Sequence, residues 1–402
     1  MPASLNAQSF QAAVGWSHES EAMRAGREAA TRALRQFSAQ QPQLALVFGS
    51  SWFDQLQLLE GLHAVLGNLP LAGGSTAGEI GPQGPTSHSC VVLLVASEHL
   101  SCAVGYGEHV DQDPRAGGQH AAYAALQGLR KTPRIGFLFF GDGLVTRFAD
   151  VVRGLQEVLG TSPLLVGGMA SDDLRFTQTY QYCNRQVLSQ SIVGVLFGGS
   201  GKIGVGMEHG FAPISKPRQI TKAKGPILVE LDRQPAASVY EEYFGQACVQ
   251  RMRQESFSRE RLAYPLGIQC ENPNQWLLRN VVSVQADASL ACSGEMIEGS
   301  WLQLMIGSRE LALEAARRAA QVAIQSLNEV GCVVVFDSIA RRKLLGETDA
   351  ALEWATIRQT IGTSVPLVGC YTYGEQAPLG VTSVYGKNTV QTGSVLVIAI
   401  GT

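Results

Sequence analysis

No CxxC pair occurs among the eight cysteines of this 402-residue chain, so the commonest redox and zinc-ribbon spacings are absent. Several of the cysteines fall instead within strand-like apolar runs, where a free thiol behaves as a small buried hydrophobe. No stretch reaches the roughly 18 consecutive apolar residues that a membrane-spanning helix needs. The opening residues, MPASLNAQSFQAAVGW, lack the basic region and continuous apolar core of a secretory signal. Charge is sparse, at 16% of residues with a formal net charge of -3. Nucleic-acid binders usually carry a basic stripe; the densest basic run here, KPRQITKAK (216–224), is interrupted by proline and threonine and reads as a solvated connection. GxSxG, HExxH, P-loop and protein-kinase signatures are missing too, which argues against the enzymes those motifs announce. These absences predict a folded, reduced, cytoplasmic protein without a membrane or nucleic-acid partner.

What the chain has in quantity is glycine, 44 residues, and part of it recurs in a repeated setting. LPLAGGSTAGEIGP (69–82) and VPLVGCYTYGEQAP (365–378) match at Pro70/Pro366, Gly73/Gly369, Thr76/Thr372, Gly78/Gly374 and Glu79/Glu375. Both loops sit in the same surroundings. The first follows a strand-like run, LALVFGSS (44–51), and a helical stretch over 52–67 with Leu56, Leu59, Leu62 and Leu66 on one face; the apolar run CVVLLVA (90–96) comes after it. The last follows CVVVFDS (332–338) and a helix over 348–362, and precedes SVLVIAI (394–400). A fainter third copy lies between them, with IGFLFFGDG (135–143), a helix over 146–160, SPLLVGGMASDD (162–173) and SIVGVLFGG (191–199). This alternation predicts an α/β fold of mixed sheets covered by helices. FGSS, FGDG and FDSI end the leading strands where helix caps belong, and such helix starts also suit anions. A different region follows the second copy. It opens with a turn-rich segment from 208, carries a helix from about Pro235, strands in 280–287 and 301–307, and a helix over 309–327. The main division is placed near residue 225, giving domains 1–225 and 226–402.

Within the repeated loops, Tyr371 and Tyr373 flank Thr372, and alternation on an extended segment puts both rings on one side. With Glu375 and Arg341 they form the leading candidate site for a small organic ligand. Arg341 and Arg342 follow Ser338, and an arginine can clamp a carboxylate in two parallel hydrogen bonds. Ser75, Thr76 and Glu79 are the corresponding candidates in the first loop. The recurrence of Glu79 and Glu375 also suggests an acid–base pair acting on a small metabolite; equally, a carboxylate beside a glycine loop serves to hold the loop's shape.

GGSTAGEI (73–80), VGGMASDD (166–173), residues 213–243, SIARRKLLG (338–346) and PLVGCYTYGEQAP (366–378) together resemble the FIST family of sensory modules. The resemblance covers most of the chain and implies an N-terminal and a C-terminal FIST domain. It departs from the family at Asp337, where a Cys often stands, and at Met169 and Ser171, where smaller residues are usual. What it implies is a stand-alone small-ligand sensor rather than an enzyme, with an amino acid as ligand and a sensor histidine kinase or other signalling protein as partner. One branch of the family senses nitric oxide through haem, which implies a non-covalent haem here, since no CxxCH occurs. Among the seven histidines, His209 is the candidate axial ligand, because it follows the strand-like IGVGM and precedes Gly210 and Phe211.

Overall fold

Apolar runs become strands, leucine and alanine stripes become helices, and their alternation builds three units of one design. The computed structural model describes residues 10–37, 40–129, 132–255, 259–270, 275–378 and 388–402. Each unit runs through a lead strand, a first helix, a central strand, a second helix, a parallel strand, a short exchanged strand and a return strand. In the first unit these are Phe10–Ser17, Ala22–Leu34, Leu44–Ser50, Gln55–Leu66, Leu71–Thr76, Glu79–Gly81 and Cys90–Ser97. In the second they are Leu100–Gly107, Pro114–Gly128, Arg134–Gly141, Phe148–Leu159, Leu164–Met169, Gln181–Cys183 and Ile192–Gly199. The third has Lys202–Glu208, Arg309–Ile324, Val330–Ser338, Ile339–Ile361, Leu367–Thr372, Glu375–Pro378 and Val395–Gly401, with residues 211–307 inserted after its lead strand.

In every unit the central strand pairs parallel to the parallel strand and antiparallel to the return strand, which pairs antiparallel to the lead strand. The exchanged strand leaves home. Gln181–Cys183 joins the first unit's parallel strand, Glu375–Pro378 the second's, and Glu79–Gly81 the third's. Each sheet thus covers an exposed edge with a strand from another unit, and the exchange closes in a cycle.

The three sheets share one core. Phe48, Phe140 and Phe336, one from each central strand, meet with ring centroids 5.7, 5.6 and 6.2 Å apart, all edge to face. Helices cover the outer faces, and small residues bring them close. Ala312, Ala315, Ala316, Ala319, Ala320 and Ala323 form the buried stripe of helix Arg309–Ile324. Opposite it, a Cβ on Gly206 would lie 2.0 Å from the Ala319 carbonyl; on Gly15 of the first unit one would lie 1.9 Å from that of Ala29. Helix ends follow capping rules: Asp54 accepts from the Gln57 N–H and Ser308 from the Leu311 N–H.

The inserted segment makes its own antiparallel sheet and core, in which Val239, Tyr240, Val249 and Met252 of two helices pack on Ile220, Leu228 and Leu304. Residue 225 falls in the turn between two strands that pair with each other, Arg218–Lys224 and Ile227–Leu231. The basic run 216–224, expected to be a connection, is largely a strand, with Ile220 buried in the inserted core and Lys222 and Lys224 exposed. The helix expected over 348–362 begins nine residues earlier, in Ile339–Ile361, and is broken at Gly346, whose φ of 72° is left-handed. All eight cysteines are free, and all but Cys102 are buried. No described helix is long and apolar enough to cross a membrane.

Candidate functional site

The strand exchange puts Glu79, Gln181 and Glu375 in equivalent places, opposite Cys370, Gly74 and Gly168 of neighbouring units. Each side chain turns back to a serine at the start of its own return strand. Glu79 accepts from the Ser89 N–H at 3.0 Å, the Ser89 hydroxyl at 2.6 Å and the Thr76 hydroxyl. Glu375 accepts from the Ser394 hydroxyl at 2.7 Å and the Thr372 hydroxyl at 2.5 Å. Gln181 accepts from the Ser191 N–H at 3.3 Å and donates to Thr179 at 3.0 Å. Both carboxylates are 0% exposed. Burial pushes Glu79 up to about 7 and Glu375 up to about 8, against the opposing pull of their serine and threonine donors. These are the bonds of residues that hold a loop in shape.

Arg341 calls for a correction. Arg341 is the largest fully buried side chain among the described residues, and its guanidinium serves internal partners: Asp337 at 3.1 Å, the His209 carbonyl at 2.5 Å, the Ala312 carbonyl at 3.0 Å, and Glu353. With its donors so used it does not present a fork to an incoming carboxylate. Burial, and then Glu353 beside it, raise Asp337 well above the ordinary carboxylate range in spite of Arg341.

The tyrosines part company. Tyr371 is 1% exposed and lies beneath Arg342, whose guanidinium carbon is 4.7 Å from its ring centroid. Tyr373 bridges units: its hydroxyl donates to Asp172 at 2.5 Å, accepts from the Leu174 N–H at 2.7 Å, and its ring stacks on Phe176 at 4.8 Å. Ser75 is buried between loops, donating to the Ser171 carbonyl and accepting from the Tyr180 N–H, both at 2.9 Å.

At His209 the residues do not suit haem. Its Nδ1 accepts from the Phe211 N–H at 3.0 Å, which leaves the ring proton on Nε2. A ligating histidine normally has the reverse arrangement, Nδ1 donating and Nε2 free for the metal. Burial, with Arg341 and Arg318 nearby, lowers His209 to about 4, so the ring is neutral. His63, the histidine beside the leucine stripe, faces the backbone carbonyls of Gly67 and Asn184.

Two cavities open beside these residues. One, of about 250 Å³, lies where all three units meet. Ala77 and Ser87 come from the first unit, Asp173 and Leu174 from the second, and Arg342, Lys343 and Glu347 from the third. Arg342 is anchored on the Ala77 carbonyl and the Ser87 hydroxyl, while Lys343 is exposed. Asp173 and Leu174 on its wall, and Phe176 just beyond, hold left-handed φ values of 55°, 62° and 53°, so the wall is strained. The other cavity, of about 400 Å³, belongs to the second unit and is floored by Asp142. His209 lines neither.

Sequence reasoning raised Arg342 beside Arg341 as a carboxylate clamp but placed Arg341 in the site; it missed Lys343 as a cavity residue and missed the serines Ser89, Ser191 and Ser394. For the serines a signal existed: HSCVV, QSIVG and GSVLV each place one directly before an apolar return strand.

Comparison with known proteins adds the following. A FIST N domain matches residues 43–234 and a FIST C domain matches residues 236–378. Two uncharacterized proteins of Mycobacterium tuberculosis are 27% identical over 405 residues, 91% of this chain and 94% of theirs. An uncharacterized protein of Methanocaldococcus jannaschii is 28% identical over 270 residues, which is 62% of this chain but 51% of that relative, so the match spans about half the relative's length. The crystal structure of a cyanuric acid hydrolase from A. caulinodans aligns with a TM-score of 0.35 at 10% identity, covering 98% of this chain and 100% of that one. So slight a likeness carries no argument.

Proposed function

Since the chain is a FIST-domain protein, carrying both the N and the C domain of that family, we propose that it senses an amino acid and passes the signal to a partner protein. FIST domains are small-ligand-sensing domains of signalling proteins. The cavity of about 250 Å³ at the meeting of the three units is the observation that carries the reading. A ligand there touches all three units at once, so its binding free energy is linked to how they pack against one another. The chemistry of the walls suits a zwitterion. Arg342 and Lys343 supply cationic donors for a carboxylate, and Asp173 and Glu347 supply acceptors for an ammonium group. Tyr373 takes part indirectly, because its hydroxyl holds the Leu174 N–H of the strained wall. The partner in this reading is a signalling protein such as a sensor histidine kinase, the role that the family resemblance implies.

The test is thermal unfolding of the purified protein against a panel of the twenty amino acids. A ligand of the native state at about 100 times its Kd adds about 2.7 kcal/mol of stability. The reading requires that at least one amino acid raise the melting temperature and that Arg342→Ala abolish the rise. A flat response to the whole panel overturns it.

A further inference from the structure

We propose that the second unit carries a separate binding site for a small organic cation, an ammonium or amidinium compound, in the cavity floored by Asp142. Ser50, Asp142 and Ser338 hold equivalent positions at the ends of the three central strands. Their backbone N–H groups donate to the carbonyls of Ser89, Ser191 and Ser394, each at 3.0 Å, so the positions correspond closely. The first and third units place a serine here and a glutamate on the exchanged strand, where threonine and serine hydroxyls occupy the carboxylate. The second unit reverses this. Its exchanged strand carries the neutral Gln181, and an acid, Asp142, stands at the strand end, against the cavity.

Asp142 is built into place. Leu144 N–H and the Thr179 hydroxyl donate to Oδ1 at 2.8 and 3.0 Å, and the Gln190 N–H donates to Oδ2 at 2.9 Å. Gln181 donates to Thr179 from behind, so the amide at the place where the other units carry a glutamate helps hold the Asp142 carboxylate in position. Asp142 is 3% exposed, and no ion pair joins it to a cation among the described residues. Oδ2 has a single neutral partner and so retains acceptor capacity toward the cavity. Asp111 stands on the same wall and adds a second negative charge, which together with burial raises Asp142. Arg147, the cation at the rim, is committed to Asp150 at 3.0 Å. A buried carboxylate without a countercharge is costly. A cavity of about 400 Å³ that leads to one is complementary to a cationic ligand whose N–H groups reach Oδ2. Thr177, Ser189 and Gln190 supply further hydrogen-bonding groups, and Leu144 and Val145 an apolar wall for a short carbon chain.

The experiment is titration calorimetry of the full chain with agmatine and putrescine as cationic probes, glycerol and glutamate as neutral and anionic controls, and magnesium chloride as the inorganic one. A cationic probe is expected to bind with a Kd below about 1 mM, with Asp142→Asn weakening it at least tenfold. Asp111→Asn, at an exposed position, keeps the fold in play should the first variant unfold; it is expected to weaken binding severalfold. Arg342→Ala is expected to leave this binding unchanged, which keeps the result independent of the amino-acid cavity. The proposal fails if neither cation binds, if glutamate or glycerol binds as well as they do, if magnesium binds in their place, or if both aspartate variants bind as tightly as the parent.

Discussion

Arg342 donates to the carbonyl of Ala77 at 3.1 Å across 265 positions of the chain. The same guanidinium donates to Ser87 at 2.9 Å and covers the Tyr371 ring, so one side chain of the third unit holds the exchanged segment of the first. Arg342→Ala is expected to lose about 1–2 kcal/mol of stability, from the hydrogen bonds and the cation–π contact. Lys343→Ala, at an exposed neighbour lining the same cavity, is expected to stay within about 0.5 kcal/mol of the parent while weakening the amino-acid response. Urea unfolding of both variants, with and without ligand, separates the two roles; equal stability losses would show that they are not distinct.

The phenylalanine triangle makes a second expectation. Phe336→Ala removes a fully buried ring that touches both of its counterparts, and is expected to cost about 3–5 kcal/mol. Phe336→Leu retains most of the volume and should cost less. Denaturant midpoints measure both, and a loss under about 1 kcal/mol for the alanine variant would mean that the three sheets do not depend on this contact.

Glu375 and Glu79 predict a pH dependence of defined sign. Burial raises their folded values from the ordinary 4.5 to about 8 and about 7, so between those limits the native state holds more protons than the unfolded state. Their contribution is therefore most favourable below about pH 4.5 and declines as pH rises toward 7 for Glu79 and 8 for Glu375. Glu375→Gln is expected to flatten that decline and to be at least as stable as the parent at pH 9, because Gln181 shows that an amide fits the equivalent place. Urea midpoints from pH 5 to 9 decide the matter; an unchanged slope in the variant rules it out.

Arg341→Met should be among the most damaging single changes. It leaves Asp337 and Glu353 buried without their cation, at a cost of about 3–5 kcal/mol. Adding Asp337→Asn and Glu353→Gln to the same chain is expected to restore part of the loss. Calorimetric melting of the single and triple variants tests this, and a single variant as stable as the parent would remove the network from the account of the core.

Much of the local architecture was legible in the residues themselves. LALVFGS, CVVLLVAS and VLVIAIG are apolar throughout because strands buried on both faces carry no alternation, and their β-branched content and flanking turns separate them from helices. In the two matching segments Gly78 and Gly374 marked the breaks between strands, whereas Gly73 and Gly369 lie inside strands. The mixed α/β class followed from that order alone.

The cyclic exchange was a different matter. Glu79–Gly81 is three residues long, and nothing within three residues names the strand Leu367–Thr372 as its partner. The pairing is set by the shared core, which fixes the three sheets relative to one another and leaves each an edge that only a neighbour's segment can reach. Arg341 and Arg342 teach the same lesson at the scale of one residue. Adjacent on a helix they point about 100° apart, but which of the two enters the core depends on where Asp337, Glu353 and the His209 carbonyl have been brought. Sequence by itself determined the apolar strands and the helices packed on them, because hydrophobic period and backbone preference act over a few residues. Partner, register and burial of charge were decided by the tertiary structure, because they depend on groups that lie far apart along the chain and become neighbours only when the three units close on one another.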